Sequence, residues 1–232
     1  MDLPPLLKAA KAGDIKTMTE LLESGADINE THKNGASALI YAAEHGHMNA
    51  VKFLIEHGAD PAIQTKMGGT ALNRAAESGN TEMMEYLLDK GTPIGDLALI
   101  VAAREGNQEA VQLLIDAGAD VNAQQRWGQT GLMLAAREGH SAVVKLLLDS
   151  GANVRLRDKN GDSALNIAID NDNADIAMQL RRAGAKAQVK KTTPPPAAAE
   201  DEEDEDSDVS ELDEIIADDS EDEIPDDMEL DD

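Results

Sequence analysis

The chain has 232 residues, 41% of them hydrophobic, and carries 46 acids against 20 bases with no cysteine. That length accommodates one or two domains with a sizeable core, and the missing cysteines exclude disulfides, thiolate metal sites and a cysteine nucleophile. A net charge of −26 argues against direct contact with nucleic acid or an anionic membrane, because both bind through cations.

At the N-terminus, Met1-Asp2-Leu3-Pro4-Pro5 has no basic segment followed by an apolar one, so no secretory signal is expected there. No apolar run of about 18 residues follows that would span a bilayer. A cytoplasmic location is expected, with the nucleus open as well.

The strongest signal along the chain is a period. Ala9-Ala10 returns as Ala42-Ala43, Ala75-Ala76, Ala102-Ala103 and Ala135-Ala136, and in degraded form as Ala168-Ile169. The steps are 33, 33, 27, 33 and 33 residues. Leu6, Leu39, Leu72, Leu99, Leu132 and Leu165 keep the same register, as do Gly25, Gly58, Gly91, Gly118, Gly151 and Gly184. Six stacked units are therefore expected over residues 1–185, at about 1–33, 34–66, 67–93, 94–126, 127–159 and 160–185.

The second unit shows what each unit does. Ser37 to His45 has the character of a short helix ended by Gly46, a residue suited to a left-handed cap. Met48 to Glu56 predicts a second helix, with Val51, Leu54 and Ile55 on one face. The paired alanines are small where two helices must approach closely. Neither helix can bury its apolar stripe alone, so neighbouring units must cover it. One connector departs from the pattern: ten steps separate Gly58 from Gly68, but only four separate Gly91 from Gly95.

Beyond the units, residues 186–199 form a linker around Pro194-Pro195-Pro196, which favours extended polyproline II. Residues 200–232 hold 21 acids and no base. The other 25 acids face all 20 bases, so the first 199 residues carry only −5. The tail cannot bury enough apolar surface to offset chain entropy and self-repulsion, and disorder is expected. Within it Val209, Leu212, Ile215 and Ile216 would share one helical face, a pattern suited to ordering on a basic partner. Ser207, Ser210 and Ser220 precede acids and resemble sites for acidophilic kinases.

The period, with Gly-x-Thr-x-Leu-x-x-Ala-Ala at Gly68 to Ala76 and Gly-Ala-Asp-Val-Asn-Ala at Gly118 to Ala123, resembles the ankyrin repeat family. Gly25 to Asn29 and Gly151 to Val154 are weaker copies. The family's Thr-Pro-Leu-His tetrapeptide is eroded to Ser37-Ala-Leu-Ile40, Thr70-Ala-Leu-Asn73, Thr130-Gly-Leu-Met133 and Ser163-Ala-Leu-Asn166. The resemblance implies an all-α solenoid of helix-turn-helix units with short β-hairpin fingers. It also implies that the six residues missing before Gly95 remove one finger, giving an uninterrupted helical stack whose binding face is divided in two.

Family members bind proteins through finger tips and first-helix ends. Carried onto this sequence, the expected partner-binding residues are Lys33, Lys66, Met67, Arg126, Trp127 and Lys159 at the tips, with Arg104 and Arg137 at first-helix ends. Trp127, the only tryptophan, would be an interface anchor. The bases would form a cationic strip that receives acidic residues, from a partner or from the tail itself. No catalytic residue, cofactor or metal site is expected: there is no phosphate-binding loop, and the tail acids lack a rigid scaffold to shift their pKa values. The function expected is a monomeric, non-enzymatic interaction module with a protein partner, itself basic where the acidic tail attracts it. The alternative is an acidic chaperone or inhibitor that masks a basic nucleic-acid-binding protein through the tail.

Overall fold

The computed structural model describes residues 3–186. Twelve helices in this span form six pairs. In chain order they are α1 (Pro5–Ala12), α2 (Ile15–Glu23), α3 (Ala38–Glu44), α4 (Met48–Glu56), α5 (Ala71–Glu77), α6 (Thr81–Asp89), α7 (Asp96–Glu105), α8 (Gln108–Asp116), α9 (Gly131–Glu138), α10 (Ser141–Asp149), α11 (Ala164–Asp170) and α12 (Ala174–Arg182). The first helix of each pair packs on the first helices before and after it, and among the second helices α2 packs on α4, α6 on α8, α8 on α10 and α10 on α12. The stack of helices continues unbroken through the short connector, since α5 packs on α7 and α6 on α8.

The core follows from the repeated residues. Every alanine pair from Ala9-Ala10 to Ala135-Ala136 is buried, as are all six register leucines. Outer helices add Val51, Leu54, Met83, Leu87, Val111, Leu114, Val144 and Leu147 at helical spacing. With no fused aromatic core, stability rests on many close aliphatic contacts between neighbouring units.

Four of the six first helices start where a hydroxyl caps them, while α1 follows Pro4 without a side-chain cap. Ser37, Thr70, Thr130 and Ser163 each accept a hydrogen bond from the backbone N–H three residues on. The eroded tetrapeptides have thus lost their proline but kept the capping oxygen. α7 begins at Gly95 with no side-chain cap. Replacing Thr130 by alanine is expected to lower stability by about 1 kcal/mol, a shift measurable in the urea midpoint.

At the N-terminal edge, Asp14 caps α2 by accepting from the Thr17 hydroxyl at 2.6 Å and its backbone N–H at 3.1 Å. Those two bonds hold the Asp14 carboxyl below its ordinary value of 3.8. A carboxylate depressed in the folded state stabilises it above the ordinary value and loses that contribution as pH falls through the depressed one. Protection of the Thr17 amide against hydrogen exchange is therefore expected to fall in acid before that of Val111 in the stack's centre. Equal loss at both sites would contradict the assignment.

Polar side chains staple successive pairs. At four of the five junctions the residue before an outer helix reaches back to the carbonyl end of the preceding inner helix, while Asn80 before α6 caps its own helix instead. His47 Nε2–H donates to Lys11 O at 3.0 Å, and His140 Nε2–H donates to Arg104 O at 2.8 Å. Asn107 Nδ2 donates to Ala76 O and Glu77 O, both at 3.1 Å, and Asn173 Nδ2 does the same for Ala136 O and Arg137 O. His45 and His57 instead bond within their own helices, to Tyr41 O and Phe53 O. These four histidines thus serve backbone carbonyls, and the fifth, His32, meets the Tyr41 hydroxyl at 3.4 Å.

Candidate functional site

Four tight turns project from the loops that precede α3, α5, α9 and α11. Each is closed by a backbone N–H donating to the carbonyl four residues on: His32 to Ala36, Thr65 to Gly69, Gln125 to Gln129 and Asp158 to Asp162, at 2.8–3.0 Å. Each carries a glycine with positive φ, at Gly35, Gly68, Gly128 and Gly161. These are the fingers. Only the first adds a β-bridge, Thr31 to Ser37, among the described residues, so the expected hairpins are short turns rather than paired strands.

The fingers are joined two by two. Lys66 N–H donates to Asn34 O at 2.8 Å, and Lys159 N–H donates to Trp127 O at 2.9 Å. Within each pair the backbone of one finger lies so close to the glycine of its neighbour that a side chain would collide. A Cβ on Gly35 would meet Gln64 O and Lys66 N at 3.0 Å, and one on Gly128 would meet Asp158 Cα at 3.2 Å. Between the pairs the connector Gly91-Thr92-Pro93-Ile94-Gly95 carries no finger. There a Cβ on Gly68 would meet only Leu97 Cδ1, at 3.3 Å.

The missing finger opens a groove of about 550 Å3. Met67 and Trp127 stand on its two sides, Leu97 and Val101 of α7 lie in its floor, and Arg74, Glu77 and Arg104 ring it. Met67 is 82% exposed and Trp127 63%, both large apolar side chains. The Trp127 ring is flanked by two cations, Arg126 at 5.9 Å and Lys159 at 5.8 Å from its centroid, close enough for cation–π attraction. The gap therefore does not divide this face: Met67 and Trp127, in separate finger pairs, line one concavity.

Lys33, Lys66, Arg126 and Lys159 sit exposed at finger tips as expected, with no carboxylate in ion-pair range among the described residues. Lys66 and Arg126 line the groove together with Met67 and Trp127, whereas Lys33 lies outside it. Arg104 and Arg137 differ from expectation. Arg104 is held by Glu77 at 2.9 Å and by Glu105 at 2.7 Å. The Glu105 hydrogen bond raises the guanidinium pKa further, against partial desolvation, with Glu77 adding to it. Arg137 pairs with Glu138 at 3.3 Å and does not reach the groove. Neither is a free cation, because each lies beside a carboxylate that the next helical position or, for Arg104, also the preceding unit supplies.

Arg74 is a groove residue that the sequence did not single out. Its Nη1 donates to Glu77 Oε2 at 2.6 Å, so Glu77 bridges Arg74 and Arg104 across the α5–α7 boundary. Its buried Nε has no acceptor. Leu97 and Val101 were missed as well, since nothing in a helical stripe says which of its residues a missing loop uncovers. The tail positions Val209, Leu212, Ile215, Ile216, Ser207, Ser210 and Ser220 lie outside the described residues.

No curated protein sequence matches the chain. Among solved structures it is similar to an ankyrin repeat domain from Acinetobacter baumannii AYE, at 31% identity and TM-score 0.67, covering 80% of this chain and 100% of that one. It is also similar to a chain in the complex of the predatory endopeptidase Bd0816 from Bdellovibrio bacteriovorus with immunity protein Bd3460, at 27% identity and TM-score 0.68. That match covers 78% of this chain and 99% of the other. A sequence model describing ankyrin repeats in three copies matches residues 6–98 and again residues 99–191, two triplets that meet inside α7 beside the missing finger. With period, helix pairs and finger turns all accounted for, this chain belongs to the ankyrin repeat family.

Proposed function

We propose that the chain is a non-enzymatic protein-binding module. In this reading residues 1–185 form a monomeric receptor, residues 186–199 a spacer, and residues 200–232 an acidic arm that draws in basic partners. The observation that carries the reading is the exposed pair Met67 and Trp127, edged by Lys66 and Arg126, which have no carboxylate partner among the described residues. Solvent-exposed aromatics with arginine neighbours are the side chains that dominate interface energies. Ankyrin repeat domains in general mediate protein–protein interaction, and a chain of similar architecture occurs in the endopeptidase–immunity protein complex.

The tail-led alternative draws on the 21 acids of residues 200–232 and is separable by salt. Binding led by the tail weakens steeply with ionic strength, while binding anchored on Trp127 changes little. The experiment is an affinity pull-down from native lysate with mass spectrometry, using the full chain, a chain stopped after Gln188, and Trp127→Ala. A partner kept by the stopped chain and lost with Trp127→Ala is the expected result. A partner lost with the tail and kept by Trp127→Ala would replace the receptor reading with the chaperone or inhibitor reading.

A further inference from the structure

The finger row has a repeating backbone pattern. The residue after the first of each turn donates its N–H to the carbonyl of the residue before the glycine in the preceding finger, as Lys66 does to Asn34 and Lys159 to Trp127. By register, a finger in the gap would donate to Met67 O and accept from Arg126 N–H. Neither of those groups has an intramolecular hydrogen-bond partner among the described residues. The gap is thus an unfilled position in a ladder, flanked by one acceptor and one donor that have no partner among the described residues.

The side chains say what that occupant is made of. Four cations, Lys66, Arg74, Arg104 and Arg126, line the groove against two carboxylates, Glu77 and Asp96. Among the described residues Lys66 and Arg126 have no ion-pair partner, and Arg74 keeps a buried Nε–H without an acceptor. Between these charges lies an apolar seat made by Met67, Trp127, Leu97 and Val101. Glycine with positive φ closes every finger turn in this chain, because a turn this tight needs a left-handed residue.

We propose that the gap is a docking site for an acidic turn of a partner protein, which sits where the absent finger would stand. The turn accepts from Arg126 N–H and donates to Met67 O, continuing the ladder in the manner of strand addition. An apolar residue at its tip lies between Met67 and Trp127 over Leu97, and its flanking carboxylates meet Lys66, Arg126 and Arg74. This rests on the reading of the chain as a protein-binding module and names the class of segment that the module takes.

The sole tryptophan stands in the groove and reports its occupancy. The probe is a disulfide-closed peptide, free of tryptophan, presenting Glu-Asp-Leu-Gly-Asp-Glu, titrated into the full chain while Trp127 emission is followed. The control peptide carries lysine in place of each acid. The expected result is a saturable blue shift with the acidic peptide, no shift with the basic one, and at least about tenfold weaker binding to K66E/R126E by loss of charge complementarity. A second variant fills the gap directly: residues 92–94 are replaced by a copy of residues 59–67, which restores ten steps between the flanking glycines. This variant should keep its helical circular dichroism and lose the response.

Equal shifts with both peptides, no shift with the acidic peptide, or undiminished binding by the gap-filled variant would overturn the proposal. The lysate pull-down tells the two levels apart. A partner that needs Trp127 while the acidic turn does not bind leaves the receptor reading standing and removes the acidic-turn occupant. A partner indifferent to Trp127 removes the receptor reading as well.

Discussion

Asn107→Ala is expected to cost about 1–3 kcal/mol, the loss of two hydrogen bonds at roughly 0.5–1.5 kcal/mol each, and to divide unfolding into two steps. The reason is the position of Asn107 in the stack. Five junctions join the six helix pairs, and four of them carry a bond between loops or fingers. Asp60 N–H donates to Asn29 Oδ1 at the first and Asn153 N–H to Asn122 Oδ1 at the fourth. Lys66 N–H to Asn34 O serves the second and Lys159 N–H to Trp127 O the fifth.

The third junction, between α5–α6 and α7–α8, has neither kind among the described residues, because the short connector supplies no finger and no matching loop. Helix packing, the Arg104–Glu77 pair and the Asn107 staple hold it. In a stack where each repeat contacts only its neighbours, weakening one interface uncouples the blocks on either side. Urea unfolding followed by circular dichroism reports all helices, while Trp127 emission reports the C-terminal block. The two curves should coincide in the unsubstituted chain and separate in Asn107→Ala. Coincident curves with an unchanged midpoint would show that the third junction is held elsewhere.

Gly106→Ala is expected to be the more damaging change. Gly106 ends α7 at φ 77°, a left-handed conformation that costs an L-residue about 1–2 kcal/mol. A Cβ there would also lie 2.6 Å from His140 Nδ1 and 2.7 Å from its Cε1. The imidazole has to move, which breaks its bond to Arg104 O, another ~1 kcal/mol. The combined loss is roughly 2–3 kcal/mol at the junction of α7–α8 with α9–α10. His140→Ala alone loses only the bond to Arg104 O, and because Gly106→Ala has already broken that bond, the double variant Gly106→Ala/His140→Ala should be no less stable than Gly106→Ala. Thermal unfolding of the single and double variants measures this. A single variant that melts within a degree of the unsubstituted chain would refute it.

Most of this architecture was legible in the sequence. The alanine pairs, register leucines and register glycines located the six units, because each serves a need that recurs in every unit. The missing finger was legible too, as four steps where ten were due. What the finger's absence does was not legible. Its consequence depends on α5 and α7 staying packed while the loop between them shrinks, which turns a break in a row into a groove floored by Leu97 and Val101. The state of Arg104 was equally hidden, since its partner Glu77 lies 27 residues earlier and meets it only when the helices stack. Charges counted along a chain overstate a basic surface wherever a neighbouring unit supplies the counter-ion.

The proposed binding site is the place of the absent third finger. The gap-filled variant tests it most directly, used as bait beside the unsubstituted chain in the same lysate pull-down. If its helical content is intact and the Trp127-dependent partner is gone, the vacancy is the receptor. If that partner is captured undiminished with the gap filled, recognition lies on the finger tips alone and the account of the groove is wrong.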